Sequence, residues 1–157
     1  MRLLKQLSVV SLLLLGTSHT LFGQGLFSGG DGSKSNPYQI ATEQDLRTLA
    51  DQVDKSNSFA GKYLKQTADI TFSEGTPVLP IGGPLTDGFH RDENRCFQGE
   101  YDGGMHKIYN LYIYDKQQLE VEGDEAHMAV GLFGVLGPRA TVKNVVIASG
   151  HIYGFAS

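Results

Sequence analysis

The chain has little cysteine, no tryptophan and no run of basic residues. Its single cysteine, Cys96, excludes an internal disulfide framework and any multi-cysteine metal site. Cys96 is therefore either a small buried hydrophobe or a reactive thiol, and we predict burial. Because nucleic acid and anionic lipid are both recognised by clustered Lys and Arg, the absence of such clusters argues against either as a partner.

No apolar run is long enough to span a membrane. Leu7–Leu15 is far shorter than the ~20 residues that a span needs. It follows the basic residues Arg2 and Lys5 and precedes a segment rich in small residues, residues 16–23. This order is typical of a secretory signal peptide, with cleavage expected near Gly23. We therefore predict an exported protein, secreted or at the cell surface, with no membrane span beyond the signal peptide.

Removal of the signal peptide makes the chain more acidic. The full chain has 13 basic and 17 acidic residues, and the loss of Arg2 and Lys5 leaves 11 basic residues and a net charge of −6. Glycine is abundant, at 20 residues, and tyrosine and phenylalanine supply the bulky side chains. This composition favours a turn-rich β protein over a helical one.

One helix is predicted, in a first region covering residues 24–60. Residues 27–37 are rich in Gly, Ser, Asp and Asn, which favours a loop. Thr42 is a typical N-cap, and Asp45 three residues later forms an acidic variant of the capping box. The apolar residues that follow are spaced as one helical stripe and predict a helix that ends near residues 53–55 and covers a core: Leu46, Leu49, Ala50 and Val53.

A second region, residues 61–157, has the pattern of strands. Residues 63–72, 106–114, 140–147 and 151–153 are rich in β-branched and aromatic residues. A shift of 34 residues aligns two of these segments, laying Ile108 on Val142 and Asn110 on Asn144. A fainter match places Asp69 at the position of Asn110. We interpret the pattern as a repeat.

A repeat of this kind has a physical explanation in a parallel β-solenoid. Each turn of the chain lays its strand about 4.8 Å above the previous one, so equivalent residues stack on one another. A buried amide then bonds to its equivalent in the next layer, as in asparagine ladders. We predict a mainly β fold that begins a right-handed parallel β-solenoid with an N-terminal capping helix. The alternative is a β-sandwich, in which Asn110 and Asn144 are ordinary turn or edge residues.

The same segments resemble bacterial surface proteins with GLUG-type repeats. The signature is Gly131-Leu132-Phe133-Gly134, followed by a turn and by the stretch Ala140–Val145. Upstream, residues 97–103 are similar to the segment that begins a preceding repeat. The resemblance implies a non-catalytic, adhesive module, and some such proteins resemble the non-catalytic region of IgA1-specific metallopeptidases. Since these proteins are usually longer, we expect this chain to be truncated.

No catalytic motif is found, and no cofactor or metal is expected. The nearest text to a His-Glu-x-x-His zinc motif, residues 124–127, lacks the second histidine. The acidic segment Glu120–Glu125 is either a solvated excursion or a weak calcium site. Asp69, Glu100 and Asp102 are carboxylates of the kind that a glycosidase uses, but no spacing distinguishes them.

The predicted function is therefore binding or adhesion without catalysis. Expected partners are host matrix, a glycan or another surface protein, and Tyr109, Tyr112 and Tyr114 are candidate ligand-facing aromatics. Self-association through an open C-terminal edge is also expected. Two alternatives stay open: a carbohydrate-active β-helix enzyme, and the N-terminal fragment of a larger surface protease.

Overall fold

A computed structural model describes residues 25–83, 95–114 and 131–153. The predicted signal peptide, residues 1–23, and the acidic segment Glu120–Glu125 lie outside the described residues. The described part is mainly β, with one helix. The elements are β1 (Tyr38–Ile40), α1 (Glu43–Asp54), β2 (Tyr63–Gln66), β3 (Ile70–Thr71), β4 (Glu100–Asp102), β5 (Lys107–Tyr109), β6 (Leu111–Tyr114), β7 (Thr141–Lys143), β8 (Val146–Ile147) and β9 (Gly150–Tyr153).

Helix α1 begins and ends where the sequence predicts. The hydroxyl of Thr42 accepts a hydrogen bond from the Asp45 N–H, and the Asp45 carboxylate accepts one from the Thr42 N–H, which completes the capping box. The apolar stripe is buried in the core, as predicted: Leu46, Leu49, Ala50 and Val53. The apolar face of the helix therefore belongs to the same hydrophobic core as the strands.

The strands form three parallel sheets. The first has the order β1-β2-β4-β7, the second β3-β5-β8 and the third β6-β9. Every pairing between named strands in the described ranges is parallel. A β-sandwich has antiparallel sheets, so the pairing contradicts that alternative. Parallel strands cannot be joined by tight hairpins, so each sheet receives its successive strands from distant parts of the chain.

The core is one cluster of buried side chains from α1, from the strands β1 to β6 and from the loops beside them. Along β2, Leu64 and Gln66 are buried while Lys65 is exposed, as the two-residue period of a strand requires. Tyr101 of β4 is fully buried, and its hydroxyl donates a hydrogen bond to Gln66 Oε1 at 3.2 Å. Desolvation raises the pKa of Tyr101. Cys96 is buried, as predicted.

The predicted 34-residue register is wrong. Ile108 pairs with Ile147, and Val142 pairs with Tyr101. The alignment fails because each segment contains two strands separated by a bend, and the sequence match placed the bend of one layer on a different bend of the next. Asn110 lies between β5 and β6, whereas Asn144 lies between β7 and β8.

Asn110 and Asn144 are exposed bend residues and do not stack on each other. Both have a φ of 55°, in the left-handed region that asparagine adopts more readily than most residues. Asn144 Nδ2 donates to Asp102 Oδ1 at 2.9 Å, and Asn110 Oδ1 accepts from the Ser149 hydroxyl. The prediction of a buried asparagine ladder is therefore wrong. The residues provide sharp bends between strands of neighbouring sheets.

Asp69 is not in register with Asn110, because Ile70 pairs with Ile108 and Asp69 therefore lies beside Lys107. Its Oδ1 accepts a hydrogen bond from the Lys107 N–H at 2.9 Å and lies 3.4 Å from His106 Nδ1. Asp102 supports the next bend, since its carboxylate accepts from Asn144 and from the Gly104 N–H. These hydrogen bonds, with that from Asn144 the strongest, lower the pKa of Asp102.

The Gly131–Gly134 segment packs against the core. Leu132 is buried, and the Phe133 ring lies 5.4 Å from that of Phe97 and 5.2 Å from that of Tyr101. Phe133 also forms an isolated parallel bridge with Ile81. The side chains of the signature thus contribute to packing between layers.

The last strand of each sheet is an edge in the described part of the chain. Strands β7, β8 and β9 each pair with one named neighbour there. Ile147 and Ile152 on this edge are more than two-fifths exposed. Self-association through the edge stays a prediction.

Candidate functional site

The outer face of the third sheet carries a group of aromatic side chains. In β6, Leu111 and Ile113 are buried, so Tyr112 between them faces outward. Strand β9 lies beside β6, with His151 opposite Tyr112 and Tyr153 opposite Tyr114. The parallel register therefore places His151 and Tyr153 on the same outer face as Tyr112.

The aromatic rings contact one another. The Tyr112 and Tyr153 ring centroids are 5.9 Å apart with the planes at 87°, an edge-to-face arrangement. The His151 ring stacks on Tyr153 at 6.2 Å and 23°. Tyr153 is 51% exposed in spite of these contacts, so the cluster retains a large aromatic surface open to solvent.

A groove of about 450 Å³ lies beside these rings, and we call it the aromatic groove. It is lined by the three aromatic residues, by glycines from two segments, and by polar residues from the loop after β3 and from the two bends that precede β6 and β9. The lining residues are Glu74, Gly75, Asn110, Tyr112, Ser149, Gly150, His151 and Tyr153.

The bends at the base of the groove are joined by hydrogen bonds. The Asn110 N–H donates to Ser149 Oγ at 2.9 Å, and the Ser149 hydroxyl donates to Asn110 Oδ1 at 3.3 Å. Gly150 follows directly, and a Cβ there would lie 2.3 Å from the Leu111 carbonyl oxygen. Only glycine therefore allows β9 to approach β6 closely enough to form this face.

The structure separates the tyrosines that the sequence grouped together. Tyr112 lines the groove, but Tyr109 lies on β5 in the second sheet and is not among the lining residues. The backbone of Tyr114 pairs with Tyr153, and its side chain lies outside the described part of the structure. Asn110 does line the groove, although we predicted it as a structural residue only.

Glu74, Ser149 and His151 were not predicted as site residues. Each is an ordinary polar residue in a loop or short strand, with no motif around it. The signal that could have found them is the pairing of β6 with β9, which places Tyr112 beside His151 across 39 residues of sequence. A correct register would have predicted the aromatic face.

The described residues contain no group of three or more His, Cys, Asp or Glu side chains placed to hold a metal ion. Within the same ranges, no helix is both long and apolar enough to cross a membrane. The described residues that line the aromatic groove provide aromatic rings, an amide, a hydroxyl and a carboxylate. Such a surface suits reversible binding of a ligand with both apolar and hydroxylated parts.

The described fold defines a mainly β protein with parallel sheets and an outward-facing aromatic groove. No protein-family model matches the chain, and no solved structure matches it with statistical significance. Among curated proteins, the chain is similar to a Gly-rich membrane protein of Evansella cellulosilytica, with 29% identity over 127 residues and 81% of this chain. It is also similar to halomucin of Haloquadratum walsbyi, with 27% identity over 133 residues and 80% of this chain. The chain spans only 13% and 1% of these two relatives.

Proposed function

We propose that the chain is a non-catalytic binding module of an exported protein, secreted or held at the cell surface, built as a right-handed β-solenoid. The observation that carries the binding function is the aromatic groove on the outer face of β6 and β9. Aromatic rings, of which that of Tyr153 is half exposed, beside a few polar groups are the usual composition of a ligand site.

The solenoid is supported by the order of strands in the sheets. Each sheet lists its strands in chain order, and the second sheet takes β3, β5 and β8 from three successive passes of the chain. Registers between layers differ by 38 residues for Ile70 with Ile108 and by 39 for Ile108 with Ile147. The right hand is supported by the strong general preference of parallel crossover connections for that hand.

A cell-surface or secreted location is supported by the names of the relatives, one a Gly-rich membrane protein and the other a halomucin. The signal-peptide pattern of residues 1–23 supports the same location. The likeness to GLUG-type repeats is part of the proposal. It is supported by Leu132 and Phe133, which pack between layers as repeated apolar residues of a solenoid would.

Adhesion assays test the binding function. The purified chain is applied to immobilised matrix proteins, glycans and bacterial surface proteins, and the bound fraction is compared with that of the double variant Tyr112→Ala/Tyr153→Ala. We expect the wild-type chain to bind one class of surface and the variant to lose most of that binding. Tyr109→Ala is the matched control, since Tyr109 is a tyrosine on the neighbouring sheet outside the groove lining. Equal binding by wild type and the double variant would remove the groove from the proposal.

A carbohydrate-active enzyme is the alternative to a binding module. Most glycosidases use two carboxylates about 5–9.5 Å apart across the scissile bond. Among the described residues that line the groove, Glu74 is the one carboxylate. The same assay therefore includes a measurement of reducing ends released from soluble glycans. If such release depends on Glu74, the proposed binding function is replaced by hydrolysis of a glycan.

A further inference from the structure

The lining of the aromatic groove combines two kinds of chemistry. Tyr112 and Tyr153 stand nearly perpendicular and provide apolar ring surface. Glu74, Asn110 and Ser149 provide a carboxylate, an amide and a hydroxyl. A ligand that uses both kinds of group needs flat apolar faces with hydroxyl groups around the rim. The rings of a saccharide have this arrangement, with C–H groups on the faces and hydroxyls at the edge.

The polar groups are matched to hydroxyls, which donate and accept. The Glu74 carboxylate is acceptor-only when ionised. Asn110 uses its Oδ1 to accept from Ser149, and its Nδ2 makes no hydrogen bond to any described residue, which leaves this donor for a ligand. The groove thus provides an acceptor at Glu74 and a donor at Asn110. A neutral polyhydroxylated ligand can use both.

The charge of the protein and the volume of the groove restrict the class of ligand further. Among the described residues of the lining, Glu74 is the one carboxylate, and the chain without residues 1–23 carries a net charge of −6, so both charges disfavour an anionic saccharide. The volume of about 450 Å³ falls within the roughly 300–1,000 Å³ of small-molecule sites. A stable protein partner needs about 800 Å² of surface on each side, which a groove of this size does not supply by itself.

We infer that the aromatic groove binds a short stretch of neutral saccharide. Its sugar rings stack on Tyr112 and Tyr153, and its hydroxyls bond to Glu74 and Asn110. This inference rests on the proposed binding function and names its ligand class. A protein partner would use the same rings through a larger contact, and it is an outcome of the test below.

Tyrosine fluorescence provides the readout, because the chain has seven tyrosines and no tryptophan. The probes are neutral disaccharides and trisaccharides of glucose, galactose and N-acetylglucosamine, together with uronic-acid oligosaccharides of the same length. Titrations run to about 10 mM, since single-site contacts with a small ligand give millimolar affinity at about 4 kcal/mol. Isothermal calorimetry confirms each fluorescence change. Circular dichroism establishes that every variant is folded.

We expect at least one neutral series to bind the wild-type chain and the uronic-acid series to bind more weakly. Tyr153→Ala should weaken binding about tenfold, which corresponds to roughly 1.4 kcal/mol. Tyr153→Phe keeps the stacking ring and should stay within about threefold of wild type. Glu74→Gln should weaken neutral binding and narrow the gap to the uronic-acid series, because it removes the charge. Tyr109→Ala should bind as wild type does.

The outcomes separate this inference from the function on which it rests. Binding to an immobilised protein that is lost in Tyr153→Ala, with no response to any neutral saccharide, would overturn the ligand class and keep the binding function. Tighter binding of uronic-acid probes than of neutral ones would also overturn the ligand class. No binding to any surface or saccharide by the folded chain would overturn both.

Discussion

The side chain of Asp45 links the N-terminal loop to helix α1 by hydrogen bonds, and its removal should destabilise the fold. The carboxylate is 6% exposed and accepts five hydrogen bonds. Oδ1 accepts from the Ser28 N–H. Oδ2 accepts from the Ser28 hydroxyl, from the Ala41 N–H, and from both the N–H and the hydroxyl of Thr42. One side chain therefore satisfies the donors of two loop segments and of the helix cap.

The expected loss of stability in each variant depends on how the five hydrogen bonds are divided between the two carboxylate oxygens. Asp45→Ala leaves three backbone N–H groups without their acceptor, each worth about 1–3 kcal/mol when buried, and partial rehydration brings the expected total to about 3–5 kcal/mol. Asp45→Asn can place its carbonyl oxygen at the Oδ2 position and lose only the bond from the Ser28 N–H, so it should cost about 1–2 kcal/mol. The two variants thus form a graded series.

Asp51→Asn is the control for this series. Asp51 lies on the same helix, and its 2.8 Å ion pair with Lys55 is between side chains that are 48% and 66% exposed. An exposed pair of this spacing contributes about 0.3–0.5 kcal/mol. Urea unfolding followed by circular dichroism at pH 7 measures the free energy of unfolding of all four proteins. Equal losses in Asp45→Ala and Asp51→Asn would refute the role assigned to Asp45.

The pH dependence supplies an independent check. Burial acts to raise the pKa of Asp45, but the hydrogen bonds from Ser28, Ala41 and Thr42 outweigh it and hold the pKa below its ordinary value. A carboxyl whose pKa is lower in the folded state stabilises the fold above its unfolded pKa, and that stability is lost as the pH falls through the folded pKa. The difference in stability between wild type and Asp45→Asn should therefore be constant near pH 7 and shrink below about pH 4. A difference that stays constant down to pH 2 would contradict the assignment.

Three further predictions concern the bends and the layers. Asn144→Ala should lower the free energy of unfolding by about 1–2 kcal/mol and Asn144→Gly by clearly less, because glycine tolerates the positive φ and only the exposed hydrogen bond to Asp102 is then lost; equal losses in urea would show that this hydrogen bond, and not φ, sets the cost. Gly103→Ala should lower the stability by about 1–3 kcal/mol, because its Cβ would lie 2.4 Å from the Asn144 carbonyl oxygen. Gly25→Ala is the control, since a Cβ there makes only ordinary contacts, and this variant should have the melting temperature of the wild type. Leu132→Ala should cost about 2–4 kcal/mol by thermal melting because Leu132 is 3% exposed, and Leu136→Ala, at 48% exposed, should cost under about 1 kcal/mol.

The parts of the fold that depend on local chemistry could be predicted from the sequence. Helix α1 is set by a capping box and a four-residue apolar stripe, all within residues 42–53, and both features act through neighbours on the same helix. The burial of Cys96 follows from the general tendency of an unpaired cysteine to be buried as a small hydrophobe. The mainly β composition follows from the β-branched and aromatic residues of the later segments.

The register between layers could not be predicted, because bends of different length produce similar sequence. The bend after β4 spans Gly103 to His106, with positive φ at Gly104 and Met105, whereas the equivalent bend after β7 needs only Asn144 and Val145. An alignment without gaps cannot account for this difference in bend length. It matched two asparagines with the same φ of 55° and assigned them to one corner when they belong to two.

The aromatic groove could not be predicted from a wrong register, because its residues come together only through the pairing of β6 with β9. Its residues extend from Glu74 to Tyr153 along the chain, and no two of the three aromatic residues on its face are adjacent in sequence. Tyr112 meets Tyr153 only because Leu111 pairs with Gly150, and that pairing depends on a glycine whose Cβ would strike the Leu111 carbonyl oxygen. Gly150 is therefore as necessary to the groove as the rings themselves, since any side chain there would move β9 away from β6. The residues that position a site on such a fold are the small ones beneath it, and a search for exposed aromatics alone finds Tyr109 as readily as Tyr112.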